Sequence, residues 1–310
     1  MKNNCPLVSI SCITYNHAPY IRQCLDGFMM QQTNFAFEVL IHDDASTDGT
    51  TEIIKEYEVK YPDIIKPLYE EENQWVKGRR GSAVFNFPRA KGKYIAMCEG
   101  DDYWTDPFKL QKQVDIMEKD MCCQIVFAKI QPISIDGMKQ SWTIPIGNNI
   151  NEGKVELKDF IKEEFYNCNW TFHTSSFVFR SKIIESYKQS GFVDIFPYGD
   201  MPMLIYNLLC GYGFYIGDIV GCYRLFSGGY NSMIRENQKY AIRQDEKLIK
   251  ALKFLDDYTR GVYHVSIVKK ISILQFGNDK KRYGKLVFFK PRYWNRAVNA
   301  LFNKFRSFIQ

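Results

Sequence analysis

Cys98-Glu99-Gly100-Asp101-Asp102-Tyr103-Trp104 is the stretch on which the reading of this chain turns. It continues Tyr94-Ile95-Ala96-Met97-Cys98, a short apolar run that reads as a buried strand. Carboxylates at the end of a buried strand are costly unless they are paired or coordinate a metal. Hard oxygen ligands suit Mg²⁺ or Mn²⁺. In an open α/β sheet, ligands bind outside the carboxyl ends of the strands. Asp101-Asp102 therefore stands where the metal of a nucleotide diphosphate could be held. The competing reading is a solvated acidic turn before Pro107. The strand in front and Tyr103-Trp104 behind argue against full solvation.

Working outward, Leu7 to Thr14 reads as a first strand, apolar enough to be central. Ile21, Cys24, Leu25, Phe28 and Met29 then fall on one face of a helix. Phe37 to Ile41 is a second strand, and Ile64 to Tyr69 a third after a helix that stops before Pro62. Trp75 to Lys93 reads as a basic, Gly-containing loop with a short helix. Leu110, Val114 and Met117 mark another helix, Gln124 to Ile130 and Phe177 to Arg180 further strands. Asp200 opens a helix that Gly211 to Gly213 ends, and from Asn237 the pattern is helical and basic. The segment from Ser134 to Asn169 is less regular. Alternating β and α elements imply a mostly parallel sheet flanked by helices. The expected fold class is thus α/β with a helical C-terminal extension.

The 310 residues allow one large domain with an appendage. We place a boundary at residue 230, with 1–230 catalytic and 231–310 a helical, basic extension. Net charge is +6, unevenly placed: from Lys280 to Gln310 there are nine Lys or Arg and no Asp or Glu. The nine cysteines show no CxxC pair and no metal spacing. Cys5, Cys12, Cys24 and Cys98 fall in apolar patterns and read as buried free thiols, which fits a reducing cytosol. The first residues do not read as a signal peptide, and no apolar run reaches the ~18 residues of a spanning helix. Walker A, strand-linked GxGxxG, GxSxG and HExxH patterns are absent. Nucleotide binding here would rest on carboxylates and a metal.

Each remaining motif carries a plain reading beside a chemical one. Thr14-Tyr15-Asn16, at the end of strand one, is explained by a polar strand end and helix cap. Asp43-Asp44-Ala45-Ser46-Thr47-Asp48-Gly49-Thr50 contains capping residues, but capping needs one side chain, and Asp43 and Asp44 lie upstream of it. An Asp there could accept from a base N–H or a ribose hydroxyl. Asp200, in Tyr198-Gly199-Asp200-Met201-Pro202, is either a helix cap or an ionised carboxylate within reach of a substrate hydroxyl. Composition does not decide between them. His173 stands alone before a strand, a position that is more often structural than catalytic.

Taken in order, these motifs resemble glycosyltransferase family 2, the inverting nucleotide-sugar transferases of GT-A fold. Val8-Ser9-Ile10 through Thr14-Tyr15-Asn16 resembles the family's opening strand, and residues 43–50 its DDxSxDGT loop. Lys91-Gly92-Lys93-Tyr94-Ile95 with Asp101-Asp102 resembles its metal-motif strand. Tyr198-Gly199-Asp200 is similar to its catalytic-base segment, and Tyr223-Arg224 to Gly228-Gly229 to its closing segment. The resemblance implies that Asp44 binds the uracil of a UDP-sugar and that Asp43, Thr14, Tyr15 and Asn16 line the same pocket. It implies that Asp101 contacts ribose or metal, that Asp102 holds Mn²⁺ or Mg²⁺ on the diphosphate, and that Asp200 is the general base. Arg79, Arg80 or Lys77 would add positive charge near the phosphates. Two departures stand out. Phe226 replaces a His found in many relatives, and Glu99-Gly100 precedes the pair, so either Glu99 or Asp101 is its first acidic member.

The expectation is a metal-dependent inverting transferase moving a sugar to a hydroxyl of a surface glycan (a lipopolysaccharide or capsule) or of a lipid-linked acceptor. A nucleotidyltransferase or a non-catalytic nucleotide-sugar module are the alternatives. In the tail, Trp294, Val298, Leu301, Phe302, Phe305, Phe308 and Ile309 share one helical stripe with basic residues around it. Such a helix lies on an anionic membrane or packs on protein. The expected location is cytoplasmic, peripheral at the inner face of the membrane. Nucleic acid is not an expected partner, because no recognition motif accompanies the charge.

Overall fold

The computed structural model describes residues 5–78, 81–146, 150–225 and 236–291. Arg79, Arg80, Phe226 and the tail stripe from Trp294 lie outside the described residues. The chain divides into two compact units, Met1–Phe226 and Ser227–Gln310.

The first unit is built on one nine-stranded sheet. In chain order the strands are β1 (Val8–Thr14), β2 (Phe37–Asp43), β3 (Ile65–Tyr69), β4 (Tyr94–Met97), β5 (Tyr103–Trp104), β6 (Cys123–Ser134), β7 (Gly153–Val155), β8 (Val178–Arg180) and β9 (Tyr212–Leu225). They lie in the order β3-β2-β1-β4-β8-β6-β9-β5, with β7 also paired to β9. β3, β2, β1 and β4 are parallel, as the βα alternation requires. Helices Ala18–Met29 and Thr50–Lys60 make the β1–β2 and β2–β3 crossings. The chain moves outward from β1 to β2 to β3, then returns to lay β4 on the other side of β1. This reversal opens a crevice beyond the carboxyl ends of β1 and β4, the ordinary place for a ligand in such a sheet.

Beyond β4 the pattern changes. β8 runs antiparallel to both β4 and β6, while β6 and β9 pair in parallel. β5 and β7 are antiparallel to β9. The sequence pattern leaves the stretch between Gly213 and Asn237 without an assigned element, and β9 occupies Tyr212–Leu225. Gly213, Gly217, Gly221 and Asp218 weaken its strand signature, because Gly and Asp disfavour strands and tertiary pairing must supply the difference. The irregular segment also proves more ordered than its composition suggests. β6 continues to Ser134, and strand β7 and helix Leu157–Ile161 follow.

The core sits on both faces of β1, β2 and β4. Val8, Ile10, Cys12, Val39 and Ile41 are fully buried, with Ile21, Leu25 and Phe28 of helix Ala18–Met29 packed over them. Each large apolar side chain buried this way contributes roughly 1.5–3 kcal/mol. Gly27 is required within that helix: a Cβ there would lie 3.0 Å from the Trp104 backbone. Its absence lets the helix settle on β5 directly after the acidic pair. Cys12, Cys24 and Cys98 are buried free thiols as expected, but Cys5 is exposed, because it precedes β1 rather than joining it.

In the second unit, helices Gln238–Tyr258 and His264–Tyr283 lie where the helical pattern is read. Ala241, Leu248, Ala251, Leu252 and Leu255 form a buried stripe on the first, and Lys281–Asp245 and Arg282–Glu246 ion pairs join the two. Among the described residues no helix is long and apolar enough to cross a membrane.

Candidate active site

At the mouth of the crevice two loops are laced together. The Asn16 N–H donates to Ser46 Oγ at 2.9 Å, and Asn16 Oδ1 accepts from the Thr47 N–H at 2.8 Å. Asn16 and Ala45 hold positive φ of 54° and 61°, a strained setting for side-chain-bearing residues. Asp48 accepts from the Ala18 N–H and from Thr50, tying the start of both crossing helices to one carboxylate.

Asp43 and Asp44 diverge. Asp43 is buried at the end of β2 and accepts from the Ser46 N–H and from the hydroxyls of Ser46 and Thr51. It shapes the turn from within. Asp44 faces the other way: Oδ1 accepts the Gln74 N–H at 2.6 Å and Oδ2 the Trp75 N–H at 3.1 Å. Asp44 therefore fastens the segment after β3 to the crevice. A carboxylate oxygen has two acceptor positions, so this leaves Asp44 capacity for a ligand donor. Thr14 is buried, with no hydrogen-bond partner at Oγ1, and Tyr15 is exposed.

The acidic stretch forms a turn at the end of β4, closed by the Asp102 N–H donating to Glu99 O at 3.0 Å. Gly100 inside it donates to Ile13 O, and a Cβ at Gly100 would fall 2.7 Å from Thr14 Oγ1. The turn thus rests on β1 at a place only glycine fits. Asp102 is 1% exposed and turns inward. Its Oδ2 accepts from the Ser175 hydroxyl and its Oδ1 from the Arg224 N–H at 3.1 Å. Burial, then the charges of Asp101 and Glu99, push its carboxyl well above the usual range. Asp101 turns outward. Its Oδ1 is buried but has no hydrogen-bond partner, and its Oδ2 lies 4.0 Å from His17 Nε2.

Glu99 and Asp200 complete an acidic cluster. Burial, Asp101 and Asp200 together push Glu99 up to about 8. Asp200 sits in the first turn of helix Asp200–Cys210, with Oδ1 accepting the Met201 N–H at 2.8 Å and Oδ2 3.5 Å from Thr174 Oγ1. A helix start favours the ionised form, yet burial outweighs it here and raises the Asp200 carboxyl. Arg224 is the cation beside the cluster. Its guanidinium donates to Asp101 O and Gln23 Oε1 and lies over the rings of Tyr20 and Tyr103.

His173 is buried, and its Nδ1 accepts the Ser175 N–H at 3.3 Å. Burial holds it down to about 3, so it is neutral and structural. Ser175 was not legible as a site residue. The run Thr174-Ser175-Ser176 before β8 is its only sequence signal, and Asp102 lies far from it in the chain.

The family model for glycosyl transferase family 2 matches residues 9–187, more than half of the chain. The chain belongs to that family. An uncharacterized protein of Mycobacterium tuberculosis is 43% identical over 139 residues, 45% of this chain and 39% of that one. The putative teichuronic acid biosynthesis glycosyltransferase TuaG of Bacillus subtilis is 37% identical over 122 residues, 39% of this chain and 46% of that one. The chain thus spans less than half the length of these relatives. S. aureus TarS 1–349 in complex with UDP-GlcNAc has TM-score 0.53 and 16% identity, covering 89% of this chain and 92% of that chain. Mannosyltransferase PcManGT from Pyrobaculum calidifontis, in complex with GDP-Man and Mn²⁺, has TM-score 0.54 and 19% identity, covering 98% and 83%. The family 2 chain shares their GT-A fold.

Proposed function

We propose that this chain transfers a sugar from a nucleoside diphosphate, UDP first, to a hydroxyl of a cell-surface glycan or lipid-linked acceptor, with inversion at the anomeric carbon. The observation that carries the reading is the buried, unpartnered Asp101 Oδ1 at the switch point, with Glu99 close enough to feel the charges of both Asp101 and Asp200, in a chain of family 2.

Among the described residues no group of three or more His, Cys, Asp or Glu is arranged to hold a metal by itself. Such a set is not needed: Mg²⁺ and Mn²⁺ bind through one or two carboxylates, the rest of the shell coming from substrate phosphates and water. Asp101 fits that role, with Glu99 as the second carboxylate. Asp102 fits it less well, because it is 1% exposed and burial, with the charges of Asp101 and Glu99, disfavours its ionised form. A divalent cation held there supplies neutralisation of the charge that develops on the leaving diphosphate.

The chain's own residues do the rest. Asn16, Asp43 and Asp44 shape the nucleoside pocket, and Asp44 keeps an acceptor for a base N–H. Asp200 takes the proton from the acceptor hydroxyl as its oxygen bonds to the anomeric carbon. The bond to the diphosphate oxygen breaks on the opposite face, and its electron pair leaves with the nucleotide. The raised Asp200 carboxyl is closer to neutral pH than a solvated one, which suits a base. Arg79 and Arg80, outside the described residues, remain candidates for phosphate contact. The teichuronic acid in TuaG's name supports a surface-polymer acceptor. The basic stripe of the tail supports docking at the inner face of an anionic membrane.

A thermal-shift panel of UDP, GDP, dTDP and CMP, each with and without Mn²⁺, tests the donor site. Metal-dependent stabilisation by a nucleoside diphosphate, lost in Asp101→Asn, is the expected result. Silence across the panel would sink the reading. Removal of residues 292–310 tests the tail, and unchanged membrane recovery discards that part.

A further inference from the structure

The aromatic side chains beside Asp102 have no part in the donor site. Trp142 and Trp170 have ring centroids 6.5 Å apart, tilted by 45°. Trp170 meets Tyr223 edge-on at 5.5 Å, and Tyr223 lies 4.3 Å from the His173 ring. The four rings form a continuous row that starts next to Asp102, since His173 Nδ1 is 3.7 Å from Asp102 Oδ2. Thr174, the next residue, reaches Asp200.

The row is only part of the way into the core. His173 is buried, whereas Trp142, Trp170 and Tyr223 are each partly exposed against the core's edge. The segment carrying Trp170 is braced on both sides. Glu163 accepts from the side-chain amides of Asn167 and Asn169 at 2.7 and 2.8 Å. Glu164 accepts the Thr171 N–H and hydroxyl at 3.0 and 2.8 Å. The Trp170 Nε1–H is itself satisfied by Phe172 O. Trp170 is thus held in place, partly open to solvent, by a polar network that gives it little freedom, and the Trp142 indole lies beside it, also partly open.

A pyranose offers the matching surface: hydroxyls around its rim and a patch of C–H bonds on one face. Such a face packs on an indole, which supplies large, rigid contact area at low entropic cost. We infer that Trp142, Trp170 and Tyr223 form a stacking subsite for the sugar ring of the acceptor, seating a glycan rather than a simple alcohol or a peptide. The inference rests on the transferase reading above. The subsite belongs to the β6 and β9 side of Asp102, whereas the nucleoside loops follow β1 and β2. A sugar seated there extends towards Asp200 from the side opposite the donor loops.

The five tryptophans allow the two sides to be read separately. The full chain is labelled with 5-fluorotryptophan, and single Trp→Phe variants assign the resonances. Trp75, whose N–H bonds Asp44, reports on the donor loops. The probes are UDP or GDP with Mg²⁺, and methyl glycosides of gluco-, galacto- and manno-configured hexoses and of N-acetylglucosamine. Glycosides should move Trp142 and Trp170 but not Trp75, and nucleotide should move Trp75. Trp142→Ala should weaken glycoside binding by roughly fivefold while nucleotide binding stays. Trp170→Phe, which keeps a ring in place, should weaken it less. Glycosides that leave Trp142 and Trp170 unmoved while nucleotide moves Trp75 overturn the subsite and leave the transferase reading intact. Equal shifts from glycerol at the same concentration also overturn it, as a co-solvent effect. No response at Trp75 to any nucleotide defeats the transferase reading instead, whatever the glycosides do at Trp142 and Trp170.

Discussion

The two halves of the sheet are built differently. In β3-β2-β1-β4 every strand is parallel, and the loops at their carboxyl ends are tied to one another: Asp43 closes its own turn, while Asn16, Asp44 and Asp48 bond backbone 31, 30 and 30 residues away, one βα unit along the chain. In β8-β6-β9-β5 the directions are mixed, and the supporting contacts join residues distant in sequence. Ser175 and Arg224, separated from Asp102 by 73 and 122 residues, hold it in place. The first half joins the loops of successive βα units. The second brings the acidic stretch against Ser175 and Arg224, from two other strands' neighbourhoods. Donor recognition and acceptor chemistry should therefore be separable by substitution.

The strongest test of that separation is Asp200→Asn. General-base removal costs about 10²–10⁴-fold in rate, so transfer should collapse while metal-dependent nucleotide binding stays intact. Full transfer by the variant, measured as nucleoside diphosphate release, would remove the base from the second half.

How far each half could be read from sequence follows from the same division. β1, β2 and their helices announce themselves through apolar periodicity and turn residues within a dozen positions, and the donor loops lie inside those windows. β9 carries three glycines and an Asp, so its strand identity comes from β6, β5 and β7 pairing to it rather than from its own composition. The acidic stretch reads from sequence as a candidate site, but the directions its two carboxylates take do not. Which way Asp101 and Asp102 turn is decided by Ser175 and Arg224, neither of which is near them in the chain. Exposure of Cys5 and the place of β7 and helix Leu157–Ile161 are likewise set by where strands begin and pair.

The next largest effect concerns pH and separates the halves through stability. His173 is held down to about 3 by burial, against 6.5 for a free imidazole. Between those values the unfolded chain binds a proton that the folded one refuses. This group's contribution is therefore fully present above pH 6.5 and lost progressively as pH falls toward 3. At pH 4 the loss is roughly 3 kcal/mol. His173→Gln keeps an acceptor for the Ser175 N–H and removes the titration. Its urea-unfolding free energy should fall less steeply between pH 6.5 and 4 than that of the parent. Identical slopes would place the acid sensitivity elsewhere.

Asp101 and Asp102 should then part company. Asp101→Asn should cost little stability and at least about tenfold in metal-dependent nucleotide affinity, since it removes a ligand charge. Asp102→Ala should leave the Ser175 hydroxyl and the Arg224 N–H without their acceptor and lower stability by about 2 kcal/mol. A calorimetric titration of UDP with Mn²⁺ beside urea unfolding distinguishes them. The reverse assignment, with Asp102→Ala stable but blind to metal, would return the ion to Asp102.

The smallest effect sits in the first half and asks whether Asp44 does more than fasten a loop. Asparagine has one carboxamide oxygen, so Asp44→Asn keeps either the Gln74 or the Trp75 N–H and sets its own NH₂ against the other. The loss is about 1–2 kcal/mol of stability, whatever the ligand. Nucleotide affinity carries the sharper information. If Asp44 only positions the segment after β3, affinities for UDP, GDP and dTDP should weaken in parallel. If its free acceptor position meets a base N–H, the nucleotide bound best by the parent should lose several times more than the others, because only that base presents its donor there. A parallel loss would make the carboxylate a loop clamp and move base recognition to the Asn16 side of the crevice.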